Sequence, residues 1–140
     1  TRSASAEAAP DETVTKAGSL EPLGDGPMER WFTDASKARR PARWKEIRST
    51  IVNTTPAGYL GCAAAILDFD FVPKLPAVKV PTLVLCGDDD QGTPPAGNKK
   101  IAELIPGGRY VGMPNARHFP NVEHPDVFNR IMMEWLSSKR

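Results

Sequence analysis

In the first half of the chain, apolar residues recur at spacings of three and four, which is the period of an amphipathic helix. Trp44, Ile47 and Ile51 form the clearest series, with charged residues between them. The helices predicted in this half run over residues 11–17, from near Pro27, from Pro41, and over residues 56–67 with Thr55 as the N-cap. Residues 1–70 are therefore expected to form a helical segment.

In the second half, short continuous apolar runs alternate with helical patterns. Residues 82–86 are an apolar run bounded by Pro81 and Gly87, and this run is typical of a strand buried on both faces of a parallel sheet. The elements predicted after it are a helix over residues 98–105, a strand over 109–113, a loop over 114–122 and a helix from His124-Pro125. The last helix carries an apolar stripe that is expected in the core, formed by Val127, Phe128, Ile131, Met132, Trp135 and Leu136.

The order of these elements predicts an α/β portion over residues 71–140, with right-handed crossovers between parallel strands. Sheets usually contain about 4–6 strands, so two strands are too few for a complete one. The sheet is therefore expected to be incomplete in this chain.

Composition and charge exclude several classes of protein. The chain has 140 residues, and 18 Lys and Arg residues against 17 Asp and Glu residues leave a net charge of +1. This balance gives no electrostatic argument for binding nucleic acid or an anionic membrane, and no apolar run approaches the roughly 20 residues of a membrane helix. Cys62 and Cys86 fit neither a disulfide framework nor a zinc site, and both are expected in apolar surroundings. We expect a cytoplasmic protein without a metal or cofactor.

Two residues capable of acid–base chemistry follow the two predicted strands. Asp90 comes after the first strand and His118 after the second, and the carboxyl ends of parallel strands lie at the same edge of a sheet. A buried carboxylate that accepts a hydrogen bond from imidazole fixes its tautomer and supports its cation, as in a nucleophilic triad. The spacing alone also fits a helix cap at Asp90 and a structural histidine at His118. Asp88 and Asp89 are expected in solvent, and Lys99 stands where a calcium loop beginning at Asp88 would need glutamate.

The residues around this pair resemble motifs of the α/β-hydrolases. Residues 87–94, GDDDQGTP, resemble the acid loop G-x-x-D-x-x-T-P, and residues 116–125, ARHFPNVEHP, resemble the histidine loop A-x-H-x-x-x-x-E-x-P. Residues 29–33, ERWFT, and 55–66, TPAGYLGCAAAI, are similar to the lid and the following helix of 3-oxoadipate enol-lactonases. The resemblance covers nearly the whole chain and is fainter before Pro27.

This resemblance implies the C-terminal part of an α/β-hydrolase fold, with a helical lid. Residues 1–70 would form the lid or cap segment, and residues 71–140 the C-terminal α/β portion of the core. The implied activity is hydrolysis of a small ester or lactone, in the manner of the enol-lactonases of aromatic degradation.

The resemblance also implies roles for individual residues. Asp90 would be the triad acid and His118 the general base. Trp31 and Tyr59 would belong to the lid and line the substrate pocket.

The serine nucleophile of the family has no counterpart in this chain. Family members carry Ser, Asp and His in that order, with the serine in a G-x-S-x-G turn, and no such motif occurs here. Cys62 lacks the spacing of a nucleophile turn, so core packing is its predicted role. The expected partner is an N-terminal hydrolase fragment with the serine, or a second copy of the chain. The alternatives are a non-catalytic binding or interaction module with a hydrolase-like core, and a hydrolase of another ester or amide.

Overall fold

The computed structural model describes residues 8–138, with side chains described from Glu12 onward. The first seven residues of the predicted lid segment lie outside this range. The helices are α1 (Ala8–Ala17), α2 (Asp25–Trp31), α3 (Asp34–Arg39), α4 (Pro41–Val52), α5 (Pro56–Ile66), α6 (Pro95–Leu104), α7 (Pro120–Glu123) and α8 (Pro125–Ser137). The strands are β1 (Leu83–Gly87) and β2 (Arg109–Met113), and short 3-10 helices cover Glu21–Leu23 and Val72–Ala77.

The described chain divides into two compact units. The first contains the residues up to Glu29 together with Ala38–Phe69. The second contains Arg30–Lys37 and the residues from Asp70 onward. Arg30–Lys37 falls within the range predicted as the lid, yet it forms part of the same unit as both strands.

The first unit is helical, as its sequence pattern predicts. Thr55 caps α5, since its hydroxyl oxygen accepts a hydrogen bond of 3.1 Å from the Gly58 amide. Helix α1 is followed by Gly18, whose φ of 64° suits a residue without a side chain. The buried apolar side chains of this unit are Val14, Leu20 and Met28.

The second unit is built on a parallel pair of strands. β1 and β2 pair in register from Leu83 opposite Arg109 to Gly87 opposite Met113, and α6 connects them and packs against both. The prediction of strand, helix and strand in this order is confirmed. The buried apolar side chains of this unit are Phe32, Cys86, Ala102, Ile105, Met113 and Ala116.

Several sequence-based expectations about burial are wrong. Residues 83–85 of β1 are only half-buried rather than enclosed on both faces, because β1 has a single strand neighbour among the described residues. The stripe of α8 contains no buried residue, and Leu136 is 48% exposed. Cys62 is exposed rather than in the core, since no residue of α5 is buried.

The predicted loop over residues 114–122 is also shorter than expected. Its last residues form the beginning of α7, where Pro120 supplies a first helical residue that needs no amide donor. In the part of the chain that the structure describes, no helix combines the length and apolarity needed to cross a membrane.

Candidate active site

The loops after β1 and β2 lie side by side at the carboxyl edge of the strand pair. The Asp88 amide donates to the Met113 carbonyl at 2.9 Å, and the Asp89 amide donates to the Ala116 carbonyl at 3.0 Å. A Cβ atom at Gly87 would overlap the backbone carbonyl oxygens of Ala116 and Arg117. Only glycine therefore permits this close approach of the two loops.

Asp90 is buried at the bottom of the first loop, with 6% of its surface exposed. Its Oδ1 atom accepts hydrogen bonds from the amides of Gly92 (2.9 Å) and Thr93 (3.1 Å), and its Oδ2 atom accepts one from the Thr93 hydroxyl (2.7 Å). Burial by itself raises the pKa of this carboxyl group, but the hydrogen bonds from His118, Thr93 and Gly92 outweigh it and hold the pKa below its ordinary value. Asp90 is thus held in its ionised form, aimed at the second loop.

His118 meets Asp90 through one ring nitrogen. Nδ1 lies 2.9 Å from Oδ2 of Asp90 and 3.3 Å from the hydroxyl of Thr93. An ionised carboxylate can only accept, so Nδ1 carries the proton and donates it to Asp90. This tautomer makes Nε2 the acceptor nitrogen of the ring. The side chain of His118 is 31% exposed, whereas that of Asp90 is 4% exposed.

Aromatic rings surround the imidazole of His118. Trp31 stacks on it with ring centroids 5.8 Å apart and an interplanar angle of 24°, and Phe119 meets it edge-on at 5.2 Å. Phe119 also stacks on Phe32, with centroids 5.4 Å apart. Phe32 is a core residue with 4% exposure, while the half-buried Trp31 borders the histidine itself.

Asn98 and Cys86 make hydrogen bonds at the loop that follows β1. The Asn98 amide group donates to the Thr93 carbonyl at 2.7 Å and to Sγ of Cys86 at 3.4 Å. Burial raises the pKa of the Cys86 thiol, and the negative charge of Asp90 raises it further. A buried thiol that resists ionisation is a poor nucleophile, so Cys86 has a packing role.

An open cavity of about 370 Å³ lies beside this edge. It is lined by Thr33, Asp88, Asp89, Asp90, Gln91 and Arg117. Asp88 and Asp89 are exposed, as expected from the sequence. Within residues 8–138, no group of three or more His, Cys, Asp or Glu side chains could hold a metal ion.

The predicted site residues are placed as follows. Asp90, His118 and Trp31 come together in the second unit. Tyr59 lies half-buried on α5 in the first unit, and its role in binding substrate stays a prediction.

Two further residues of the site were not assigned a role from the sequence. Thr93 donates hydrogen bonds to Asp90 through its hydroxyl and its amide. The signal for this contact was the Asp-x-x-Thr spacing, because an Asp side chain commonly accepts hydrogen bonds from groups two or three residues later. Glu123 is 2% exposed and accepts a hydrogen bond from the Arg117 amide, one residue before His118.

The sequence profile of the α/β-hydrolase fold family matches residues 18–125. 3-Oxoadipate enol-lactonase 2 of Acinetobacter baylyi is 29% identical over 110 residues, which are 79% of this chain and 41% of that protein.

Solved structures of an enol-lactonase and an esterase also superpose on this chain. The enol-lactonase from Burkholderia xenovorans LB400 superposes with a TM-score of 0.85 at 32% identity, over 92% of this chain and 49% of that one. A thermophilic esterase from Thermogutta terrifontis superposes with a TM-score of 0.86 at 28% identity, over 97% of this chain and 51% of that one. The chain therefore spans about half the length of these solved relatives. Since the family profile covers most of its residues, the chain belongs to the α/β-hydrolase family and represents the C-terminal part of that fold.

Proposed function

We propose that this chain supplies the acid and the base of a carboxylic-ester or lactone hydrolase. Asp90 would be the triad acid and His118 the general base. The serine nucleophile would come from an N-terminal hydrolase portion outside these 140 residues. The observation that carries the proposal is the 2.9 Å contact between Nδ1 of His118 and the buried Oδ2 of Asp90, which makes Nε2 a proton acceptor.

In this proposal, Nε2 of His118 takes the proton from the serine hydroxyl as its oxygen attacks the substrate carbonyl. Asp90 stabilises the imidazolium ion that forms. When the carbon–oxygen bond of the ester or lactone breaks, the ring returns the proton to the leaving oxygen. His118 then deprotonates a water molecule, which attacks the acyl-serine, releases the carboxylic acid and restores the serine. Backbone amides outside this chain would stabilise the oxyanion.

The substrate class rests on the names of the relatives. An enol-lactonase is among both the curated relatives and the solved structures, and an esterase superposes as well. Trp31 lies against the face of His118, so its indole would border the acyl group of a bound substrate. Tyr59 is proposed as a second substrate contact.

Exposed apolar surface in the second unit supports a partner polypeptide. β1 pairs only with β2 among the described residues, and parallel strands are normally covered on both sides. Phe71, Val72 and Val80, which precede β1 in the chain, are 46%, 51% and 66% exposed. A hydrolase segment that adds strands beside β1 would bury this surface and remove the open edge. A second copy could also pair there, but it would bring the same set of serines, none of them in a G-x-S-x-G turn.

Native mass spectrometry combined with a serine-directed phosphonate tests the proposal. We expect a second polypeptide to bind this chain and to take the label, with His118→Gln abolishing the labelling. His124→Gln is the matched control, since His124 is the other histidine and its ring contacts the Asn115 carbonyl rather than Asp90.

Two results would contradict the proposal. An active monomer of this chain alone would remove the need for a partner. Labelling or activity that survives His118→Gln would show that His118 is not the general base.

A further inference from the structure

We infer that Glu123 is a positioning residue for His118, and this inference rests on the proposed function only for its catalytic consequence. Glu123 ends α7, and its side chain is 2% exposed. A carboxylate at this depth needs hydrogen-bond donors on both oxygens to offset the loss of water. Both oxygens of Glu123 have such donors.

The first oxygen holds the segment that carries Trp31. Oε1 accepts hydrogen bonds from the Thr33 amide at 2.8 Å and from the Thr33 hydroxyl at 2.7 Å. The Thr33 hydroxyl oxygen also accepts from the Ser36 amide at 3.2 Å at the start of α3. Thr33 is therefore fixed by Glu123 on one side and by a helix terminus on the other.

The second oxygen holds the histidine loop. Oε2 accepts a hydrogen bond of 2.6 Å from the backbone amide of Arg117, the residue directly before His118. The Arg117 guanidinium in turn donates to the Phe32 carbonyl at 3.0 Å. One carboxylate thus ties the backbone on the N-terminal side of His118 to the segment whose Trp31 stacks on the imidazole.

These contacts constrain the backbone next to His118 and one face of its ring, in addition to the hydrogen bond between Nδ1 and Asp90. Asp90 determines which ring nitrogen carries the proton, but the single hydrogen bond from Nδ1 does not by itself fix the plane of the ring. The Glu123 bridge sets the backbone from which His118 projects and the indole plane against which it rests. Loss of the bridge would therefore displace Nε2 while Asp90 stays in place.

The experiment follows the ring of His118 directly by NMR in Glu123→Gln and in Glu134→Gln. Glu134 offers the same chemical change at an exposed position on α8. The chain has two histidines, so the ring resonances are assigned with a single His124→Gln variant. We expect Glu123→Gln to shift or broaden the Nδ1–H proton signal of His118, because glutamine can offer only one acceptor oxygen where the carboxylate offers two. Glu134→Gln leaves that signal unchanged.

Thr33 provides a second, milder pair of variants in case Glu123→Gln does not fold. Thr33→Val removes one donor to Oε1 at nearly constant shape, and Thr33→Ser keeps the hydroxyl. We expect Thr33→Val to move the His118 signal in the same direction and Thr33→Ser to restore it. A lower melting temperature with an unchanged His118 signal would overturn the inference, because it would mean that Glu123 acts on stability alone. The deciding variant is Glu123→Gln where it folds, and Thr33→Val where it does not.

Activity is read separately, in the complex with the nucleophile-bearing polypeptide. There we expect Glu123→Gln to lower kcat by about tenfold or more with little change in KM, since displacement of a catalytic group by about 1 Å can cost around 100-fold. If the wild-type complex hydrolyses no ester or lactone and the His118 signal still responds to Glu123→Gln, the proposed function fails while the positioning role stands. If the wild-type complex is active and the His118 signal does not respond, the positioning role fails while the proposed function stands.

Discussion

Replacing Asp90 by asparagine is the most direct test of the candidate site. The amide oxygen of asparagine can keep the two backbone hydrogen bonds that Oδ1 now accepts from Gly92 and Thr93. Its amino group would stand where Oδ2 now accepts from Nδ1 of His118 and from the Thr93 hydroxyl. Because that group donates, Nδ1 must become an acceptor and the ring proton moves to Nε2. The histidine would then present a donor to the serine.

The size of the effect follows from the hydrogen bonds that change. Hydrogen bonds to charged groups contribute about 1.5–3 kcal/mol and neutral ones about 0.5–1.5 kcal/mol, so each of the two altered bonds loses about 1 kcal/mol. A loss of about 2 kcal/mol corresponds to a melting temperature lower by roughly 5–8 °C in a chain of this size. The wrong tautomer lowers kcat by about four orders of magnitude in nucleophilic triads of this kind.

Two measurements test this. ¹⁵N NMR of the imidazole shows which ring nitrogen carries the proton, and the rate of hydrolysis is measured in the complex with the nucleophile-bearing polypeptide. Asp126→Asn is the control, since Asp126 is exposed in the first turn of α8. The reasoning is refuted if Asp90→Asn keeps the proton on Nδ1, or if hydrolysis by the complex falls by less than tenfold.

Further predictions concern the same two loops. Hydrogen bonds hold the pKa of Asp90 below its ordinary value, so its ionised form stabilises the fold above the unfolded-state pKa of about 4. That stability is lost as pH falls through the lower folded-state pKa, and urea titrations from pH 5 to pH 2 should show a steeper loss in wild type than in Asp90→Asn. Thr93→Val removes the 2.7 Å hydrogen bond to Oδ2 and should move this acid transition to higher pH, whereas Thr93→Ser should not. If Thr93→Val has the same acid transition as wild type, the hydrogen bond from Thr93 does not lower the pKa of Asp90. Gly87→Ala places a methyl group against the carbonyl oxygens of the second loop and should lower the free energy of unfolding, measured by chemical denaturation, by about 1–3 kcal/mol. Gly97→Ala is the control, because a Cβ atom at Gly97 meets no atom within 4 Å.

Local sequence patterns were sufficient for the elements that place the site. The run over residues 82–86 and the segment Arg109–Met113 predict the two strands, and the observed β2 has the predicted bounds. Parallel pairing then brings the residues after both strands to one edge, which is why the proximity of Asp90 and His118 could be expected. No long-range information was needed beyond the direction of the strands.

Burial and bridging contacts could not be predicted in this way. Cys62 lies in an apolar sequence that suggests a core helix, but exposure depends on which other elements cover α5. The partners of Glu123 include Thr33, 90 positions away in the sequence, so no local spacing indicates the bridge. The half-burial of β1 likewise depends on how many strands pair with it rather than on its composition.

The hydrogen bonds between the two loops have a consequence for how a complete enzyme would assemble. Two backbone hydrogen bonds, from Asp88 to the last residue of β2 and from Asp89 to the second loop, already hold the proposed acid and base together within one polypeptide. The loss of entropy that accompanies their alignment therefore occurs when this chain folds. Association with a nucleophile-bearing segment would then have to position only the serine. Substitutions along the open edge of β1 should then weaken assembly and leave the turnover of the assembled enzyme unchanged. Mutations could then weaken association of the two polypeptides without changing catalysis. A split-enzyme complementation reporter, whose activity signals that two fragments have associated, requires this property.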